Sequence, residues 1–172
     1  MWGMVYNKNM SRLTPAFVRN FVFGVEDSLV STVGLLSGVA AGGVAGSTIV
    51  LTGIVLIFVE AFSMGVGSLL SDNSSQEFKE QSDVPLERSF WPGVVMFISY
   101  FISGFIPLLP YLLWPVDQAL PWSIIFSLIA LFILGMISGK FSQTKVLYQG
   151  AKVMVIGGLA VLLGVLVGYF VG

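Results

Sequence analysis

The sequence of 172 residues contains no cysteine and no histidine. Their absence excludes disulfide bonds, thiolate and imidazole metal ligands, and catalysis by either side chain. Any metal site must therefore use carboxylates, carbonyls, hydroxyls or methionine thioethers. The sequence also has no phosphate-binding loop, nucleophile constellation or nucleic-acid patch. We therefore expect no enzyme, no cofactor and no nucleic-acid partner.

Charged residues are almost as scarce. They make up 10% of the chain, against 56% hydrophobic residues, whereas a soluble domain has about 25% charged residues. A span needs roughly 20 apolar residues to cross the hydrocarbon core. The runs without any charged residue are 28–59, 89–116, 118–139 and 153–172. The composition therefore predicts a multi-pass integral membrane protein with the lipid bilayer as its solvent.

The longest of these runs must contain a turn. The glycines at 42–46 favour that turn, and Ser47 or Thr48 can cap the helix that follows. Thr14 and Pro15 have the pattern of a capped helix start. The sequence thus predicts one all-α domain, a bundle of five transmembrane helices, with a short acidic connection between the second and third. The predicted spans are 15–41, 47–72, 90–113, 121–141 and 147–171, and the connection is 72–88.

The basic residues indicate the orientation of the five helices. They fall before or at the start of span one, between spans two and three, and around the connection of spans four and five: Lys8, Arg12, Arg19, Lys79, Arg88, Lys140, Lys145 and Lys152. Cytoplasmic segments carry the excess of Lys and Arg, so the N-terminus should be inside and the C-terminus outside. Trp114 and Trp122 flank the opposite connection, where an aromatic belt is expected. The chain starts without the features of a cleaved signal peptide, and we expect none.

Three acidic residues lie inside predicted spans, namely Glu26, Asp27 and Glu60. A carboxylate near the bilayer centre costs at least ~2.5–3.5 kcal/mol, so such residues usually face a bundle interior or an aqueous path. Glu26 and Asp27 could instead mark an interfacial helix end. Because neighbours on a helix point about 100° apart, at most one of these two should face a central path squarely.

Span two carries a stripe of residues on one helix face, spaced by three, four or seven positions: Gly53, Glu60, Met64, Gly67 and Ser71. A carboxylate with a thioether can hold a divalent metal such as Fe²⁺, whereas oxygen ligands alone favour Mg²⁺ or Ca²⁺. Methionine in an apolar helix also serves to fill gaps. The connection at 72–88 has an excess of three acidic over basic residues, which could attract cations or simply be solvated.

Glycines recur every four residues in span one and recur in span five: Gly34, Gly38, Gly42 and Gly46, then Gly150, Gly157, Gly164 and Gly168. Such faces allow close helix packing, which is the simplest interpretation of both. The first face also suggests a two-fold homodimer with span one at or near its interface. Pro107 and Pro110 are expected to kink span three.

Several segments resemble the vacuolar iron transporter family. "FGVEDSLVSTVGLLSGVAAG" at 23–42 resembles its first helix, "EAFSMGVGSLLS" at 60–71 its second, and "SGFIPLLPYLL" at 103–113 its Pro-rich third. "LFILGMISGKFS" and "GAKVMVIGGLAVLLGVLVGYFVG" are similar to the last two. The resemblance covers about residues 17–172.

This resemblance implies a homodimer of five-helix protomers that moves Fe²⁺, and often Mn²⁺, out of the cytoplasm in exchange for protons, along a path between the protomers. It places the metal-binding acid of the family on Asp27 and its methionine on Met64. The membrane would be the cell membrane of a prokaryote or a vacuolar-type membrane of a eukaryote.

The sequence departs from the family pattern at three places. The family has Asn or Ser where Glu26 stands and Gly where Ser28 stands. Its second-helix Glu would fall near Leu56, so Glu60 could substitute from one turn further on. The Glu-rich cytoplasmic helices of many members are reduced here to the 72–88 connection. The alternatives to a proton-coupled transporter are a cation channel of the same architecture and a non-transporting membrane scaffold subunit.

Overall fold

The computed structural model describes residues 10–172, with side chains from residue 16 onward. The predictions that concern Lys8 and the absence of a cleaved signal peptide fall on residues outside this range. The side chain of Arg12 also lies outside the described part.

Five helices account for nearly all of the described chain, and each is long and apolar enough to cross a membrane. They are α1 (Met10–Ala41), α2 (Gly46–Glu80), α3 (Glu87–Leu113), α4 (Val116–Phe141) and α5 (Val146–Val171). No strand occurs between residues 10 and 172. The predicted all-α, five-span architecture is therefore confirmed, and the chain is a multi-pass integral membrane protein.

The helix starts differ from those that the capping residues suggested. The backbone of α1 is already helical at Met10, so Thr14 and Pro15 lie within the helix. Ala45 is the N-cap of α2, and no side chain caps that helix. The turn itself lies where the glycines predicted it, because Gly43 has φ +74°, a value that suits a residue without Cβ.

The connection between spans two and three is mostly helical, which corrects the expectation of a loop over 72–88. Helix α2 has 35 residues and is about 52 Å long at 1.5 Å per residue, against a hydrocarbon core of roughly 30 Å. Only residues 81–86 separate it from α3.

The acidic side chains at the end of α2 are held by neighbouring polar groups. The Ser89 hydroxyl and the Gln76 amide both donate to Asp72 Oδ2, at 2.9 and 2.8 Å. Arg88 pairs with Glu80 at 3.1 Å. Hydrogen bonds and an ion pair therefore connect α2 to α3 at this end of the hairpin.

Helices α1 and α3 form the centre of the bundle. Half of the apolar stretch of α3 is buried and 44% of that of α1, but only 11% of that of α5. One core cluster joins α1 to α2, α3 and α4 around Leu36, Ile57 and Leu108, all fully buried. Large apolar side chains on the outer faces of α2, α4 and α5 are exposed, as expected for surfaces that contact lipid.

The glycine face of α1 packs within the chain against the last part of the α5 face, Gly164 and Gly168, whereas Gly150 and Gly157 pack against α4. A Cβ added to Gly38 would lie 2.6 Å from the carbonyl oxygen of Gly164, and one added to Gly168 would lie 1.9 Å from that of Gly38. The interpretation of these faces as close-packing surfaces is confirmed. The expectation that the α1 face forms a dimer contact is wrong, because α5 already occupies it. Gly46 belongs to α2 and faces Val116 instead.

The described basic residues lie at or within a few turns of one end of the bundle. The contacts around the glycines show the helix directions. Helix α1 runs parallel to α5, α2 runs antiparallel to α3, and α4 runs antiparallel to α5. The starts of α1, α3 and α5 thus meet the ends of α2 and α4. Trp114 and Trp122 lie at the opposite end and are exposed.

Candidate functional site

Tyr100 joins α1, α2 and α3 in the interior of the bundle. Its side chain is fully buried, and its hydroxyl donates a hydrogen bond to Glu60 Oε2 on α2. The same hydroxyl is 2.7 Å from Ser31 Oγ on α1. Ser28 Oγ, also on α1, donates to the backbone carbonyl of Tyr100 at 2.7 Å. Side chains from α1 and α2 therefore fix the position of this tyrosine of α3.

The local sequence explains how α1 and α3 approach so closely here. A Cβ on Gly104 would lie 2.7 Å from Ile57 Cγ1 and 3.0 Å from Ser28 Oγ, and one on Gly24 would lie 3.0 Å from Ser99 Cβ. The glycines occur on either side of Tyr100, so the backbones can come together around it. Ser28 and Ser31 lie within one turn of α1 and reach the tyrosine from the same side.

Asp27 on α1 and Glu60 on α2 lie within electrostatic range of each other and of Tyr100. Asp27 is half-buried, and the two carboxylates are close enough to repel each other. Two negative charges in a medium of low polarity are unfavourable unless a cation binds between them or one is protonated. The pair is therefore suited to hold a cation.

Glu26 has a different neighbour on the other helices. Its carboxylate is within electrostatic range of Asp27 and then of Lys152 on α5, whereas Asp27 is within range of Glu60 on α2. The two neighbouring acids thus diverge as the helical geometry predicted, with Asp27 on the side of the acid pair. Of the four predicted metal ligands, the structure brings Asp27 and Glu60 within electrostatic range of each other, while Glu26 and Met64 lie beside this pair.

Met64 lies one turn beyond Glu60, in a groove of about 490 Å³ between α1, α2 and α3. Its polar and sulfur-bearing lining consists of Arg19, Asn20, Met64, Ser68, Ser71 and Met96. Neither Asp27 nor Glu60 lines the groove, so the acid pair and the groove are adjacent features. The predicted stripe on α2 therefore has three different surroundings. Its last three members, Met64, Gly67 and Ser71, line the groove. Glu60 contacts Tyr100, and Gly53 is buried against side chains of α1 and α3.

Asn20 fixes one side of the groove. Its side chain is almost fully buried, and Nδ2 donates to Ser68 Oγ at 2.7 Å and to the carbonyl of Pro92 at 2.9 Å. This amide therefore ties α1 to both α2 and α3.

Sequence reasoning missed Asn20, Ser31, Met96 and Tyr100. A polar residue within an apolar run was the available signal, but serine and tyrosine are common enough in spans that their type alone did not single them out. Among residues 16–172, no three acidic side chains converge on one point. One chain thus contributes two carboxylates to the region, with a thioether one turn away.

Five helices long and apolar enough to span a membrane, with acidic side chains on two of them, define this chain as a helical membrane protein. The model of the VIT family matches residues 18–91 and 80–169. The matches cover most of the chain, which therefore belongs to the VIT family.

Named relatives come from plants and an archaeon. The vacuolar iron transporter of Centaurea cyanus is 36% identical over 74 residues, 42% of this chain and 30% of that protein. Vacuolar iron transporter 1 of Arabidopsis thaliana is 37% identical over 75 residues, 43% and 30% of the two chains. An uncharacterized protein of Methanocaldococcus jannaschii is 29% identical over 161 residues, 83% of each chain. The match thus spans less than a third of these two plant transporters.

Proposed function

We propose that this protein transports divalent metal ions, Fe²⁺ and also Mn²⁺, out of the cytoplasm in exchange for protons. The observation that carries the proposal is the pair of carboxylates on membrane-spanning helices, Asp27 on α1 and Glu60 on α2, which lie within electrostatic range of each other. Membership of the VIT family and the two plant relatives named as vacuolar iron transporters support iron as the cargo.

The donor atoms suit this cargo. Carboxylate oxygens bind divalent first-row metals, and a thioether adds preference for the softer ions among them. The carboxylates would bind the metal when ionised and release it when protonated, which couples metal and proton at one site. Asp27 and Glu60 are the exchanging groups, and Met64 is the sulfur ligand along the groove.

The transporting unit is a two-fold homodimer with the metal path between the protomers. Two carboxylates and a thioether do not complete the coordination shell of Fe²⁺, so a second copy or water must supply the remaining ligands. The groove beside Met64 favours a second copy, because it is open at Gly67, where a Cβ would meet nothing within 4 Å. The glycine face of α1 takes no part in this contact.

The end of the bundle that carries the basic residues faces the cytoplasm, following the positive-inside rule. The groove, with Arg19 and Ser71 in its lining, lies on the cytoplasmic side of the acid pair. Metal would therefore enter along the groove and reach Asp27 and Glu60 afterwards.

Fe²⁺ uptake into proteoliposomes, with and without an imposed pH gradient, tests the proposal. We expect wild-type protein to take up Fe²⁺ faster when the gradient drives protons the opposite way. A double variant, Asp27→Asn with Glu60→Gln, at equal protein insertion is the matched control and should be inactive. Flux that is insensitive to the gradient would identify a channel, and the absence of flux would favour a scaffold.

A further inference from the structure

The Tyr100–Glu60 hydrogen bond uses one of the two oxygens of Glu60. The phenol donates to Oε2, and among the described residues Oε1 accepts no hydrogen bond. Glu60 is only partly buried, so Oε1 is the oxygen left to contact a bound ion. The carboxylate therefore presents a single free oxygen.

The tyrosine cannot easily move away from Glu60. Its side chain is fully buried, Ser28 bonds its backbone carbonyl, and Ser31 bonds its hydroxyl at 2.7 Å. A phenol hydroxyl has only one proton. When that proton is donated to Glu60, Ser31 must donate to the phenol oxygen. The hydroxyl of Ser31 on α1 thus donates to Tyr100 on α3, and Tyr100 donates to Glu60 on α2.

We propose that Tyr100 is a positioning residue that sets metal selectivity by restricting Glu60 to one coordinating oxygen. This inference rests on the proposed function. Ca²⁺ takes six to eight oxygen ligands and commonly uses a carboxylate through both oxygens. A carboxylate whose Oε2 already accepts a hydrogen bond is a poorer bidentate ligand, because one lone pair of that oxygen is taken. The hydrogen bond therefore disfavours Ca²⁺ relative to Mn²⁺ and Fe²⁺, which accept fewer ligands.

The effect of Tyr100 on metal selectivity can be measured without transport, by equilibrium metal binding in detergent. Mn²⁺ binding to purified protein is measured by the loss of the free-ion EPR signal, and Ca²⁺ is then added as competitor. In Tyr100→Phe both oxygens of Glu60 become available. We expect the affinity for Ca²⁺ relative to Mn²⁺ to rise roughly tenfold, the ratio that corresponds to one charge-assisted hydrogen bond.

Three further variants distinguish positioning from packing. Tyr111→Phe removes the hydroxyl of another buried tyrosine of α3, which has no carboxylate partner, and should leave the Ca²⁺/Mn²⁺ ratio unchanged. Ser31→Ala keeps the ring but loosens the hydroxyl, and should shift the ratio in the same direction by a smaller factor. In a Glu60→Gln background, Tyr100→Phe should have no effect on the ratio.

The outcomes are distinct. An unchanged ratio in folded Tyr100→Phe, or an equal shift in the Glu60→Gln background, would overturn the role of Tyr100 and leave the proposed function intact. If Tyr100→Phe does not fold, Ser31→Ala decides, and an unchanged ratio in that variant refutes the inference. If wild-type protein binds no Mn²⁺, both the proposed function and this inference fail.

Discussion

Asp27 is the acid of α1 that lies within electrostatic range of Glu60, whereas the neighbours of Glu26 are Asp27 and Lys152. Asp27→Asn keeps nearly the same shape but cannot carry a negative charge. We expect the initial Fe²⁺ flux into liposomes to fall to the level of empty vesicles and proton coupling to be lost with it. Glu26→Gln removes the neighbouring charge and is the control, with most of its flux retained. Wild-type flux in Asp27→Asn would refute the central role of the acid pair.

Met64 and Met96 contribute sulfur to the groove, whose other polar lining residues contribute oxygen or nitrogen. Met64→Leu keeps the volume and removes the donor, so Fe²⁺ transport should weaken more than that of the harder Mn²⁺. We expect the Fe²⁺/Mn²⁺ flux ratio to fall by roughly tenfold, equivalent to about 1.4 kcal/mol. Met96→Leu changes the second thioether of the groove and provides the comparison. Equal losses for both metals would indicate that Met64 only fills space.

At the level of single residues, part of the site could be predicted and part could not. Glu26, Asp27 and Glu60 stood out because a charge in an apolar span is costly wherever it points. The helical angle between neighbours indicated that Glu26 and Asp27 diverge, but the elements packed around them decided which one faces Glu60. Tyr100 was not predictable, because its role depends on hydrogen bonds across three helices that are distant in sequence.

The contact between α1 and α5 is a backbone contact at the level of helices. A methyl group on Gly38 would meet the carbonyl of Gly164 at 2.6 Å, and neither backbone can move without displacing its helix. We expect Gly38→Ala to destabilise the protein by about 1–3 kcal/mol, seen as a lower Tm in detergent.

Gly158→Ala on α5 is the matched control for Gly38→Ala. The nearest atom to its added Cβ is 4.0 Å away, so Tm should be unchanged or slightly higher, because alanine favours the helix. Similar Tm values for the two variants would contradict the close contact of α1 with α5.

Element boundaries were predicted well where composition changes sharply and less well elsewhere. The turn at Gly43 and the end of α3 before Trp114 follow from glycine and proline. The continuation of α2 to Glu80 was missed, because polar residues after Ser71 were interpreted as the end of the helix. Contacts with α3, such as the bond of Ser89 to Asp72, stabilise those turns outside the apolar region.

For the whole molecule, the charge distribution predicts which end faces the cytoplasm. The native chain has no cysteine, so single-cysteine variants Glu80→Cys and Gln118→Cys can be labelled cleanly. In intact cells we expect a membrane-impermeant maleimide to label position 118 and to reach position 80 only after permeabilisation. Labelling of both positions in intact cells would contradict the five-span orientation.

The pairing of the first helix with the last also determines how this protein must be made. Helix α1 is synthesised before α5, yet the surface formed by Gly34, Gly38 and Gly42 packs against α5. Until α5 is inserted, this glycine surface of α1 contacts only lipid or a transiently bound protein such as a chaperone. The contact between α1 and α5 can therefore form only after the helices between them have been synthesised. Substituting the glycines of α5 by larger residues should leave α1 through α4 inserted but α5 unable to pack against α1. Such a variant would be degraded, so its abundance would fall before its transport rate per molecule could be affected.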